Sequence, residues 1–153
     1  MRVSAKTDYA LRAAVELAAA HGDGTPVKGE KLATTQSIPL RFLENILLQL
    51  RHAGIVESRR GADGGYKLAR APGEITLADV IRAIDGPLAG VSGQRPETLD
   101  FKGTSEPLRE VWVAVRASLR GVLEQVTLAD VVAGELPAHV RELVADEDAW
   151  VPH

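Results

Sequence analysis

Two helical patterns in close succession, then two short strands around a glycine-rich tip, constrain this chain more than any other feature. Lys28 to Thr34 carries Leu32 and Ala33 and predicts a short helix, and Thr34-Thr35-Gln36-Ser37-Ile38 is a polar turn that ends at Pro39. A second helix is predicted from Pro39 to about His52, with Pro39 at its first position, where the missing N–H has no helical partner to lose. Phe42, Leu43, Ile46, Leu47 and Leu50 recur at helical spacing as its apolar stripe, and Gly54 closes it. Ile55 to Ser58 reads as a strand, Arg59 to Gly65 as a long cationic tip, and Tyr66 to Ala69 as the returning strand. A short helix, a turn, a second helix and a two-stranded ribbon follow one another in a winged helix-turn-helix, whose second helix enters the major groove of DNA. The fold class expected is therefore mainly α with a small β-hairpin wing and a long C-terminal helix.

The flanking segments are helical too. Thr7 to Ala20 places Ala10, Leu11, Ala14, Leu17 and Ala18 on one face, with Thr7 suited to cap it and Asp8 in its first turn. Thr76-Leu77-Ala78-Asp79 has capping-box spacing and heads a helix to Asp85; Thr127-Leu128-Ala129-Asp130 repeats the pattern before a last short helix. Between them, Gly86 to Gly103 is aperiodic and reads as a loop. Glu106-Pro107 opens the longest helix, predicted to reach about Val126, with Leu108, Val111, Val115, Leu119, Val122, Leu123 and Val126 in its apolar stripe. Trp112 on the same helix lines either the core or a pocket beside the loop. An acidic tail begins at Leu136-Pro137.

Charge divides the chain. Residues 1–70 carry 11 Lys/Arg against 7 Asp/Glu, and residues 71–153 carry 7 against 14, so a front of +4 joins a rear of −7. An anionic partner is expected for the front half only. The chain contains no cysteine, which excludes disulfides, thiolate metal sites and cysteine redox switches. His21, His52, His139 and His153 lack metal-ligand spacing. No apolar run approaches a membrane span and Met1 to Lys6 has no signal-peptide core, so the expected location is the cytoplasm. Gly61 to Gly65 lacks the Lys-Ser/Thr ending of a phosphate-binding loop, and no nucleophile–base pair stands out, so an enzyme is not expected.

Candidate DNA contacts follow from placement. Arg41 lies at the start of the second helix, and Glu44 one turn on can accept from a cytosine amino group. Ser37, Thr34 and Thr35 can hydrogen-bond phosphates. Arg59 and Arg60 precede Gly61, Gly64 and Gly65; arginine suits a narrow minor groove and glycine permits close backbone approach. The same residues also fit a solvated Arg41–Glu44 pair on an ordinary helix and a plain glycine turn with two solvated arginines.

Arg60-Gly61-Ala62-Asp63-Gly64-Gly65-Tyr66-Lys67-Leu68 resembles the wing signature of the Rrf2 family of bacterial regulators. Lys6-Thr7-Asp8-Tyr9-Ala10-Leu11, Phe42-Leu43-Glu44-Asn45-Ile46-Leu47, Leu50 to Val56, Ile75 to Ile81 and Trp112 to Leu128 match it in order, so the resemblance spans roughly residues 1–132. It implies that Arg60 enters the minor groove, that Glu44 tunes base preference, and that the helix at about 107–126 dimerises. It places Pro39 and Arg41 where some members contact DNA with small polar residues. Cluster-binding members carry three cysteines in the segment matching residues 90–106, which here holds none, and a histidine ligand where this chain has Arg109.

The expectation is a dimeric repressor without an iron–sulfur cluster or other cofactor. It would bind double-stranded DNA at an inverted-repeat operator and answer a small-molecule effector or a protein partner. Its parts would be a DNA-binding domain at 1–85, a sensor loop at 86–105, a dimerisation helix with its short successor at 106–135, and a tail at 136–153. The alternative is a protein-interaction module whose acidic C-terminal half binds a partner, with DNA binding secondary.

Overall fold

The computed structural model describes residues 2–152; Met1 and His153, named above, lie outside them. Seven α-helices and one hairpin are found among these residues: α1 (Ala5–Ala19), α2 (Gly29–Gln36), α3 (Leu40–His52), β1 (Val56–Arg59), β2 (Gly65–Leu68), α4 (Leu77–Asp85), α5 (Leu108–Leu123), α6 (Leu128–Ala133) and α7 (Ala138–Ala145). The architecture is mainly helical with a two-stranded antiparallel sheet.

The core is built on α1. Ala10, Ala13, Ala14 and Leu17 are buried together with Leu32 from α2, Leu43, Ile46, Leu47 and Leu50 from α3, Val80 from α4 and Leu128 from α6. Methyl-sized side chains let the backbones of α3, α4 and α6 approach closely, since interaxial distance follows side-chain size. Phe42 departs from its predicted place in the buried stripe: it is 40% exposed and meets Tyr9 edge-on, centroids 5.7 Å apart. With Leu43, Ile46, Leu47 and Leu50 already filling the face toward α1, the ring stays at the rim.

Helix α1 starts earlier than Thr7 because Ser4 caps it, accepting from the Thr7 backbone N–H at 3.1 Å. Thr7 itself is buried, and its hydroxyl donates to Asp85 Oδ2 at 2.5 Å, joining α1 to the end of α4. Pro39 stands at the N-cap of α3, one position before the helix proper.

Both predicted capping boxes form, and they lie against each other. Asp79 N–H and Asp130 N–H each donate to the hydroxyl three residues back, at 3.2 Å. Asp79 and Asp130 Oδ2 accept in return from Thr76 and Thr127 N–H, at 3.0 and 2.8 Å. Leu77 N–H donates to the Val126 carbonyl at 3.0 Å and Leu128 N–H to the Ile75 carbonyl at 2.9 Å. These bonds clasp the starts of α4 and α6 together.

The clasp moves Val126 out of the long helix, which ends at Leu123. Val126 is 2% exposed, so it packs within the chain and cannot serve a surface between protomers. The predicted loop holds 3-10 turns at Pro96–Thr98 and Gly103–Ser105 and buries Leu88, Pro96 and Leu99. The tail also folds: Val140 on α7 is buried, and His139 Nε2 hydrogen-bonds the Gly121 carbonyl at 2.8 Å.

Replacing Thr127 or Thr76 with Ala should lower stability by about 1 kcal/mol each, read as a melting-temperature loss of roughly 2–4 °C. Hydrogen bonds from the Thr127 backbone N–H and hydroxyl hold the Asp130 carboxyl below its ordinary range. Its contribution is therefore complete above that range and is lost as pH falls through the lowered value. Asp130→Asn should cost stability at neutral pH and lose that effect in acid, which thermal melts across pH will check.

Candidate nucleic-acid interface

Helices α2 and α3 meet at a turn whose geometry is local. Ser37 adopts a left-handed conformation, φ 54°, at the C-cap of α2, and the Ile38 N–H donates back to the Ala33 carbonyl at 2.9 Å. Gln36 Nε2 donates to Glu16, which ties the end of α2 to α1. The start of α3 therefore has a defined position. Arg41, Glu44, Thr35 and Ser37 are exposed around it. Thr34 is exposed too, though its hydroxyl already donates to the Glu30 carbonyl of its own helix at 2.9 Å. No side chain caps α3; Phe42 and Leu43 N–H donate to the Pro39 carbonyl at 3.0 Å, and Leu40 and Arg41 at its first positions are exposed, an arrangement open to a phosphate.

The wing is shorter at its tip than predicted. Val56 pairs with Leu68, Glu57 with Lys67, Ser58 with Tyr66 and Arg59 with Gly65. Arg59 and Gly65 thus belong to the ladder, and Arg60 is the first residue beyond it. The Gly64 N–H closes the tip on the Gly61 carbonyl at 3.0 Å.

The glycines do different work from that expected of them. A Cβ on Gly64 would lie 2.2 Å from the Arg59 carbonyl oxygen, and one on Gly65 2.5 Å from that of Val27. These two are required by the wing's own packing, and Gly64 is buried. Gly61, φ 104°, has nothing near its Cβ position and remains open at the surface.

Three contacts that the linear pattern did not reveal orient the wing. Val27 and Tyr66 exchange backbone hydrogen bonds at 2.8 Å each, so the segment before α2 is bridged antiparallel to β2 at one residue. Arg51 Nη1 donates to Ser58 Oγ at 3.1 Å, linking the end of α3 to β1. Lys67 pairs with Glu57 across the ladder at 2.8 Å. Such bridges leave no periodic signature; the Arg51–Ser58 pair alone joins residues close in sequence. Among the described residues no salt bridge involves Arg41, Arg59 or Arg60. All three are exposed cations on elements anchored to one core.

The long helix presents a second surface. None of the residues of α5 is fully buried within the chain. Leu108 is 42% and Val111 51% exposed, and Val115, Leu119, Val122 and Leu123 are half-buried. Leu119 and Leu123 line a cleft with Ile81 and Leu88. Trp112 is half-buried and lies outside the buried core. No helix among the described residues is long and apolar enough to cross a membrane.

Residues 3–134 match the Rrf2 family, described as "Iron-dependent Transcriptional regulator". An HTH-type transcriptional regulator of Mycobacterium tuberculosis is 52% identical over 146 residues, covering 95% of this chain and 90% of the relative. CymR of Bacillus subtilis, also an HTH-type transcriptional regulator, is 36% identical over 92% of this chain and 98% of its own. Among solved structures, CymR, "the Global Cysteine Regulator of B. subtilis", superposes with a TM-score of 0.74 at 35% identity, over 87% of this chain and 97% of that one. T. potens IscR gives 0.68 at 33% identity, over 100% and 93%.

The iron in the family's description does not fit the residues here. The chain offers no thiolate, among the described residues no three His, Asp or Glu side chains converge, and Arg109 has no lone pair to donate. Profile, relatives and architecture agree on the rest: the chain belongs to the Rrf2 family of DNA-binding helix-turn-helix transcriptional regulators.

Proposed function

We propose that this regulator works as a two-fold dimer on an inverted-repeat operator, as a repressor released by a signal received at residues 86–105. The observation that carries the DNA reading is the pairing of an uncapped, outward-facing α3 start with Arg60 just beyond the wing ladder, both anchored to the α1 core. In this reading α3 enters the major groove, Arg41 and Glu44 meet base edges, and Thr35 and Ser37 meet phosphates. Arg60, with Arg59 behind it, enters the neighbouring minor groove. Gly64 and Gly65 give the wing its shape, and Gly61 stays open beside the phosphates.

The dimer reading is supported by α5. An amphipathic helix without one fully buried side chain leaves Leu108, Val111, Val115 and Val122 for a symmetric partner surface. Leu119 and Leu123, at the rim of an intramolecular cleft, would border it. Two copies would set their α3 helices about 34 Å apart, one turn of DNA. Division of labour would follow the chain: residues 1–85 bind DNA, 86–105 receive the signal and α5 pairs the copies.

Gel shifts against the gene's own promoter should show binding that weakens steeply with salt. Arg60→Ala should lose roughly 1–3 kcal/mol of affinity, about thirtyfold near the middle of that range. Undiminished binding by Arg60→Ala removes the wing-arginine assignment. Failure of the wild type to bind in low salt favours a protein-interaction role for the acidic half. Light scattering should give twice the chain mass for the wild type and the monomer mass for Val111→Glu; a monomeric wild type, or a fully dimeric variant, contradicts pairing through α5. Purified protein put through iron–sulfur reconstitution should stay colourless, because the chain has no cysteine thiolate to hold a cluster; a stable stoichiometric brown chromophore refutes this.

A further inference from the structure

In the acidic half of the chain, cations gather at one place. Residues 71–153 hold 7 Lys/Arg against 14 Asp/Glu, yet Arg82, Arg95, Arg116 and Arg120 line a single cleft of about 430 Å³. Arg82 comes from α4, Arg95 from the segment after it, and Arg116 and Arg120 from successive turns of α5. Two carboxylates answer them. Glu124 pairs with both Arg82 and Arg120, the latter at 3.0 Å. Glu97, on the 3-10 turn, pairs with Arg116. Arg95 makes no salt bridge among the described residues.

Four guanidinium groups against two carboxylates leave the cleft two positive charges in excess. The carboxylates are already committed as anions. Hydrogen bonds from Arg120 and Arg82 hold the Glu124 carboxyl below its ordinary range. A hydrogen bond from its own backbone, then Arg116 and Arg95, do the same for Glu97. Neither can take up the excess. Each guanidinium carries five donors in a planar fork suited to phosphate and carboxylate oxygens, and one shared carboxylate uses few of them. Pro87 and Leu88 supply an apolar wall. The volume suits a small metabolite.

We propose that this cleft binds a small, multiply charged oxyanion, a phosphorylated or polycarboxylate metabolite, and is the effector site of the regulator. The proposal rests on the reading of residues 86–105 as the signal-receiving segment and names the chemistry of the signal. The site spans the end of the DNA-binding domain and the helix proposed to pair the copies. An anion that bridges Arg82 on α4 to Arg116 and Arg120 on α5 couples the two elements. It shifts operator affinity to the extent that it binds one α4–α5 arrangement better than the other.

The test uses full-length protein with inorganic pyrophosphate and citrate as probes, ionic strength held constant with chloride. At tenfold excess over Kd, a binding anion should raise the melting temperature by about 4 °C. The response should be lost in Arg95→Gln, whose side chain holds no ion pair the fold needs, and in Arg116→Gln. Response to pyrophosphate alone assigns a phosphorylated effector, response to citrate alone a polycarboxylate, and response to both the shared oxyanion chemistry. Response to neither, or an unchanged response in both variants, overturns the proposal. So does a loss of operator affinity in Arg95→Gln without any anion, which would make the cleft a DNA contact. A separate outcome addresses the reading beneath it. Pyrophosphate that binds the wild type yet leaves operator affinity within twofold removes the effector role of the segment, whereas Arg60→Ala tests DNA binding independently of the cleft.

Discussion

The alanine face of α1 is the constraint on which the other elements depend. Ala10, Ala13 and Ala14 are completely buried, and α2, α3, α4 and α6 all pack against α1. A larger residue at any of these positions would push α3, α4 or α6 outward, and close-packed interiors do not absorb added volume without strain. Because α3 and the wing are both referenced to this face, their spacing is set by the fold itself, which in the proposed reading means before DNA arrives. Preorganisation of this kind reduces the ordering cost of binding.

Polar links complete what the alanines begin. Thr7 and Asp85 join the start of α1 to the end of α4, and the paired capping boxes join the start of α4 to the start of α6. The capping boxes also satisfy helix-end N–H groups that would otherwise need water. Together the two links hold α4 at both ends, once to α1 and once to α6. Helix α4 is thus a rigid intermediary between the region that carries α3 and the wing and the arginine-lined cleft beside α5.

Helix α5 stands apart from this economy. Its charged face is engaged within the chain through Glu97, Arg82 and Glu124, whereas its apolar face finds no complete burial. A helix patterned in this way needs a second apolar surface. The contrast separates an N-terminal region whose helices bury their apolar faces in one core from a long helix whose apolar face stays partly exposed.

Much of this was legible in the sequence because it is local. Periodicity marked α1, α3 and α5, Thr-x-x-Asp marked the starts of α4 and α6, and the Arg60 to Leu68 signature marked the wing; the absence of thiolate chemistry follows from composition alone. What tertiary structure decided is what depends on residues distant along the chain. Thr7, freed from the cap position by Ser4, found a distant partner in Asp85, and Val126 left the interface stripe because the clasp turns it inward. Gly64 and Gly65 proved to be packing requirements, and Val27 is bridged to the wing only through Tyr66. The four arginines of the cleft, spread from Arg82 to Arg120, share no sequence pattern. Short-range preferences record which backbone conformation a segment favours; which side chains then meet is settled when the α1 face draws the segments together.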